Sequence, residues 1–141
     1  MSSSHLPKAE LKELVGTLRK LPRFADCSDG DLEALAKTAA LSAVPANWPL
    51  ISEQTPADAC YVIIDGEVEV RVDGKPVAQL SAGSVVGEIG LLESRLRNAT
   101  VVSATRVTVL HLVAEAFHAL ISSHPAIRTA LQGPTTSDTT S

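Results

Sequence analysis

The run Gly87-Glu88-Ile89-Gly90-Leu91-Leu92, followed after four residues by Arg97-Asn98-Ala99-Thr100, joins a glycine turn, an acid, a short apolar helical turn and an arginine. A glycine lets the backbone approach a ligand closely where a Cβ would obstruct it. The first N–H groups of the helical turn have no partner within it and favour an anion. Arg97 can close on the same anion with a planar fork of donors. Glu88 is repulsive beside an anion unless it holds something else, and a hydroxyl next to a phosphate meets that need. The grouping asks for a small ligand that carries a phosphate and a sugar. The alternatives are a surface salt bridge for Arg97 and an N-terminal helix acid, favoured by the dipole, for Glu88. The second leaves Arg97 unexplained.

Other residues with chemical potential read as structural. Glu67 and Glu69 alternate with Val68 and Val70, which puts both acids on one wet strand face rather than in a catalytic pair. Arg95 reads as a solvated loop residue. His5, His111, His118 and His124 form no His-x-His pair, so a cupin-like metalloenzyme lacks its ligand strand. Nucleophile-elbow and zinc-protease motifs are absent, and no catalytic residue is expected. Cys27 and Cys60 read as two small buried residues rather than a redox pair.

Three regions must position the cassette. Residues 8–21 read as a helix, with Leu11, Leu14, Val15, Leu18 and Leu21 at helical spacing and Pro22 ending it. A second helix opens at Ser28, with Asp31 completing a capping box and Leu32, Leu35 and Ala36 inward. From about Leu41 the chain turns to short β-type runs broken by proline and glycine. Cys60–Ile64 is a strand, and Asp65-Gly66 reads as a hairpin turn. Val68, Val70 and Val72 share one strand face, Asp73-Gly74 is a further turn, and Val77–Leu80 returns as a strand. A loop at 81–84 leads through Val85 and Val86 to the cassette. Val101-Val102 and Val107–Leu112 are two more strands. Phe117, Leu120 and Ile121, then Ile127, Ala130 and Leu131 after Pro125, give a short C-terminal helical segment.

The fold class is therefore mainly β with flanking α-helices: about eight short strands in a closed β-roll or jelly-roll. The domain is expected over 8–132, with 1–7 a disordered N-terminus and 133–141 a disordered polar tail. A net charge of −4 argues against non-specific nucleic-acid binding. The link Pro22–Cys27 is too long for a helix-turn-helix, and with few residues after Leu131 no DNA-binding unit of the activator type is expected in this chain as given. No run approaches a membrane span and the N-terminus lacks a secretory pattern, so the expected location is cytoplasmic.

In this setting the cassette resembles that of the cyclic nucleotide-binding domain family. Its motif reads roughly Phe-Gly-Glu-x-Ala/Gly-Leu-Leu, a short gap, then Pro-Arg-x-Ala-Thr. Here it is Val86 to Leu92 and Leu96 to Thr100, with no insertion needed. Leu21-Pro22-Arg23-Phe24 with Ser28 to Leu32 is similar to the helical lead-in, and Pro56 to Ile63 with Asp65 to Val68 to the strand core. The resemblance implies an eight-stranded antiparallel β-roll with a short cassette helix. It also implies that Ile89, Gly90 and Asn98 offer N–H groups to a cyclic phosphate, with Arg97 pairing its charge. Gly87 would supply the turn, and Glu88 would accept from the ribose 2′-OH. The base would lie on the inner sheet face, where Val70, Ala78 and Leu80 are the candidates from strand parity.

Departures from the motif are Val86 for the aromatic, Leu96 for the proline, and Gln54-Thr55 for a Gly-Asp turn. Asn47-Trp48-Pro49 likewise replaces a glycine turn. Asn98 leaves base preference open between cAMP, the family default, and cGMP. The implied function is a regulatory sensor without catalysis, whose cassette repositions the C-terminal helix through Leu91 or Leu92 and Phe117 or Leu120. An effector protein or domain outside this chain would read the movement. The short C-terminal helix implies modest affinity, or a lid supplied elsewhere. A rival reading keeps the fold as a ligand-free interaction module; the weaker third is the cupin-like metalloenzyme.

Overall fold

The structure is a computed structural model that describes residues 7–88, 91, 97 and 99–132. Helix α1 covers Lys8–Arg19. It stops before Leu21, because Leu21 is extended and feeds a 3-10 turn at Pro22–Phe24. Helix α2 covers Asp29–Thr38, and its start is the expected capping box: Asp31 N–H donates to Ser28 Oγ while Ser28 N–H donates to the Asp31 carboxylate. Leu14 and Leu18 of α1 and Leu32, Leu35 and Ala36 of α2 are buried.

Eight strands follow among the described residues: β1 Ala40–Val44, β2 Pro49–Ile51, β3 Ala59–Asp65, β4 Val68–Val72, β5 Lys75–Leu80, β6 Val85–Val86, β7 Thr100–Ser103 and β8 Val107–Val113. They form two antiparallel four-stranded sheets, ordered β1-β8-β3-β6 and β2-β7-β4-β5. Two helices close the described chain, α3 Ala114–Ser123 and α4 Pro125–Gln132. Pro125 opens α4, a position that needs no N–H.

Side-chain alternation explains why the strands of the first sheet read as continuous apolar runs. Cys60 and Val62 of β3, and Leu110 and Leu112 of β8, face the helices and join one cluster with Leu18, Leu35, Phe117 and Leu131. Ile63, Val107 and Val109 point the other way, into the roll, where they meet Ile51, Val68, Val70, Leu80 and Val101 of the second sheet. The first sheet is thus buried on both faces, and the second on one. On the outer side of β4, Glu69 and Arg71 pair at 2.6 Å, and Gln79 donates to Glu67 at 2.8 Å.

Only one of the two expected tight turns makes a hairpin. Asp73 (φ 54) and Gly74 (φ 78) join β4 to its antiparallel partner β5, as a primed turn should. Asp65-Gly66 does not: β3 and β4 lie in different sheets, and this turn carries the chain from one to the other. Gly66 is required there by contact, since a Cβ would fall 2.4 Å from the Arg106 carbonyl oxygen.

Candidate functional site

Arg97 lies just before β7, and its main chain is pinned on both sides. The Gln54 N–H donates to the Arg97 carbonyl and the Arg97 N–H to the Thr55 carbonyl, each at 2.9 Å. Gln54 adopts φ 65 to do so, at the place where a glycine turn is replaced. Asn47, in the other replaced turn, has φ 64, a conformation that asparagine tolerates better than most side chains.

The guanidinium is only 2% exposed. Nη1 donates to the Gly87 carbonyl at 2.8 Å, and Nη2 to the Ala59 carbonyl. Among the described residues it forms an ion pair with Asp58, whose Oδ1 is 3.8 Å from Nη2 and whose side chain is 89% exposed. Burial pushes the Arg97 pKa down, with the Asp58 charge opposing. This is a desolvated cation held by two neutral carbonyls and a long ion pair to a well-hydrated carboxylate, and a buried charge countered in this way gains from a closer anionic partner.

Gly87 is left-handed at φ 92, and a Cβ there would sit 3.0 Å from both the Ala59 carbonyl oxygen and Arg97 Nη1. The glycine thus lets the arginine pass behind the turn. Glu88 follows it with helical backbone, 3% exposed. Its Oε1 is buried without a hydrogen-bond partner. Burial raises the Glu88 pKa to about 7, against a bond to the backbone and the positive charges of Arg23 and Arg97. Leu91, also helical, packs in the cluster that holds Phe117 and Leu120.

The structure brings Gly87, Glu88 and Arg97 together. Ile89, Gly90 and Asn98, together with Leu92, Arg95 and Leu96, lie outside the described residues, as do 1–6 and 133–141. Val70 and Ala78 are cross-strand partners on β4 and β5. Val70 is fully buried in the roll, Ala78 partly so, and Leu80 is 3% exposed at the edge of a cleft. Cys27 and Cys60 are free and buried. His111 stacks on Tyr61 across β3 and β8 with centroids 5.1 Å apart. Among the described residues, no group of His, Cys, Asp and Glu side chains comes together that could hold a metal ion.

Two participants escaped sequence reasoning. Asp58 lies in a stretch read only as strand core, and Arg23 in a short link without periodicity. Leu-Pro-Arg-Phe carries one signal, an arginine wedged between residues that are otherwise apolar.

The family described as cyclic nucleotide-binding domain matches residues 42–124, a span that runs from β1 to the end of α3 and takes in the whole cassette. The chain belongs to this family. The domain is 31% identical over 126 residues to an uncharacterized NTE family protein of Mycobacterium tuberculosis, covering 89% of this chain and 22% of that protein. It is 33% identical over 107 residues to a cyclic nucleotide-gated potassium channel of Rhizobium etli, covering 76% and 30%. The cyclic nucleotide-binding domain thus spans less than a third of either relative. Among solved structures, a protein kinase A regulatory-subunit domain (PKAR CBD2) with bound Sp-2Cl-cAMPS superposes with TM-score 0.75 at 22% identity, covering 84% of this chain and 82% of that one. At that identity the likeness speaks for the fold. No helix among the described residues is long and apolar enough to cross a membrane.

Proposed function

We propose that residues 8–132 are a sensor that binds a cyclic ribonucleotide, cAMP by preference, and catalyses nothing. One observation carries this reading: a buried carboxylate oxygen of Glu88 has no partner while the neighbouring buried Arg97 makes, among the described residues, only a long ion pair of 3.8 Å to the exposed Asp58. One ligand with a phosphate and an adjacent hydroxyl satisfies both. Arg97 pairs with the cyclic phosphate, which also takes N–H groups of Ile89, Gly90 and Asn98 beside the Gly87 turn. Glu88 accepts from the ribose 2′-OH. The base rests towards Ala78 and Leu80, with Val70 behind them.

The signal is a population shift. Ligand orders the turn from Glu88 to Leu92, and Leu91 carries the change to Phe117 and Leu120 of α3. Cytoplasmic placement and an effector outside this chain complete the proposal. The relatives' names include a channel and an NTE family protein. The ligand-free interaction module remains the contrasting reading. Calorimetric titration with cAMP and cGMP decides between them: saturable heat supports the sensor, and its absence with both nucleotides supports the module.

A further inference from the structure

A cleft of about 840 Å³ lies between three elements remote in sequence: the 3-10 turn with Pro22 and Arg23, the loop 81–84 after β5, and α4 with Ala126, Thr129 and Ala130. Arg23 spans it. Its Nε donates to the Gly83 carbonyl at 3.0 Å, and its Nη1 to the Ala130 carbonyl at 2.7 Å. The Ala130 carbonyl is among the last four of α4, which helix geometry leaves without an internal partner. A cation there also meets the negative end of the helix dipole. The Gly83 loop is itself anchored to the roll, because Gly83 N–H donates to Ile63 at 2.8 Å and Ile63 N–H to Ser84 at 2.9 Å. From that loop the chain runs through β6 into Gly87 and Glu88.

We propose that Arg23 is a positioning residue that couples the ligand site to the C-terminal helix, by holding the end of α4 and the loop that leads into Glu88 with one guanidinium. The inference rests on the ligand reading above. Glu88 lies within the fields of Arg23 from the 3-10 turn, Arg97 before β7 and the Cys60 thiol on β3. A ribose hydroxyl donating to Glu88 favours its ionised form, which strengthens the hold on Arg23 and so on Ala130. Coupling of this kind is reciprocal: ligand protects the last turn of α4, and an anchored α4 raises ligand affinity.

The test is amide hydrogen exchange across α4, with and without cAMP, alongside the pH dependence of cAMP affinity, in wild type, Arg23→Gln and Arg23→Lys. Wild type is expected to show slower exchange at 127–132 when cAMP binds. Arg23→Gln loses that ligand-induced protection, binds about 3- to 10-fold more weakly, and needs a higher pH for full affinity. Arg23→Lys keeps the charge without the two-carbonyl fork, so it restores the pH profile but not the protection. Ligand-induced protection that survives in both variants overturns the coupling while leaving the sensor intact. A wild type that binds neither cAMP nor cGMP overturns the coupling and the sensor together.

Discussion

Arg97 donates from Nη1 to the carbonyl of Gly87 at 2.8 Å, and Gly87 immediately precedes Glu88. This bond ties the cation to the turn that carries the acid. In the proposed sensor a phosphate drawn to Arg97 therefore lies beside the turn whose Glu88 takes the ribose hydroxyl.

Gly87→Ala is expected to damage both stability and binding. The residue holds φ 92, and the new Cβ would press on the Ala59 carbonyl and the arginine it must let pass. Chemical denaturation should show a loss of about 1–3 kcal/mol, and titration a fall in cAMP affinity.

Glu88 gives the ligand-free domain a pH-dependent stability. Its folded pKa of about 7 lies above the ordinary 4.5, so between those values the folded state holds a proton that the unfolded state has released. The contribution is present at low pH and is lost as pH rises towards 7. Glu88→Gln should remove that slope and leave the domain more stable at pH 8 by ~1–3 kcal/mol. Denaturation across pH 5–8, in roughly one-unit steps, compares the two slopes. In the proposed sensor binding runs the other way, because the ionised form of Glu88 would take the hydroxyl. Affinity for cAMP should rise as pH increases through about 7, with proton release detectable by calorimetry in buffers of different ionisation enthalpy.

A ligand without the ribose hydroxyl isolates the same acid. Wild type should bind 2′-deoxy-cAMP more weakly than cAMP by about 1–3 kcal/mol, since a buried acceptor is then left unpaired. Most of that discrimination should vanish in Glu88→Ala. Equal affinities for the two ligands in wild type would remove Glu88 from the ribose.

The left-handed turn at Gln54 supports Arg97 through two main-chain bonds. Gln54→Gly fits the conformation without a Cβ penalty, so stability should stay within ~1 kcal/mol of wild type and binding should persist. Gln54→Ile, branched at Cβ, should lose ~1–2 kcal/mol and weaken cAMP binding. Thermal unfolding of the two variants checks the contrast.

The fold was legible where local chemistry has one solution. The Ser28–Asp31 capping box, the Asp73-Gly74 hairpin and the break at Pro125 all appear as the residues required. Asp65-Gly66 misled because a turn signal says that the chain reverses, not which sheet it enters. That choice is made by the core, which sends Ile63 and Val68 into one interior from opposite sheets. Of the site, the sequence spacing brought out Gly87, Glu88 and Arg97. It could not show that Ala59 and Gly87 carbonyls would hold the guanidinium, because a main-chain acceptor leaves no mark on residue type. Arg23 was hidden for a related reason: its partners, Gly83 and Ala130, are reached through carbonyls 60 and 107 residues away.

Calorimetric titration of cAMP into wild type and Arg97→Ala, each first shown to be folded by circular dichroism, tests the central claim most directly. The account predicts saturable binding of modest affinity to wild type, and a loss of ~2–4 kcal/mol in the variant, about 30- to 1,000-fold. Binding heat and affinity unchanged in Arg97→Ala would contradict it.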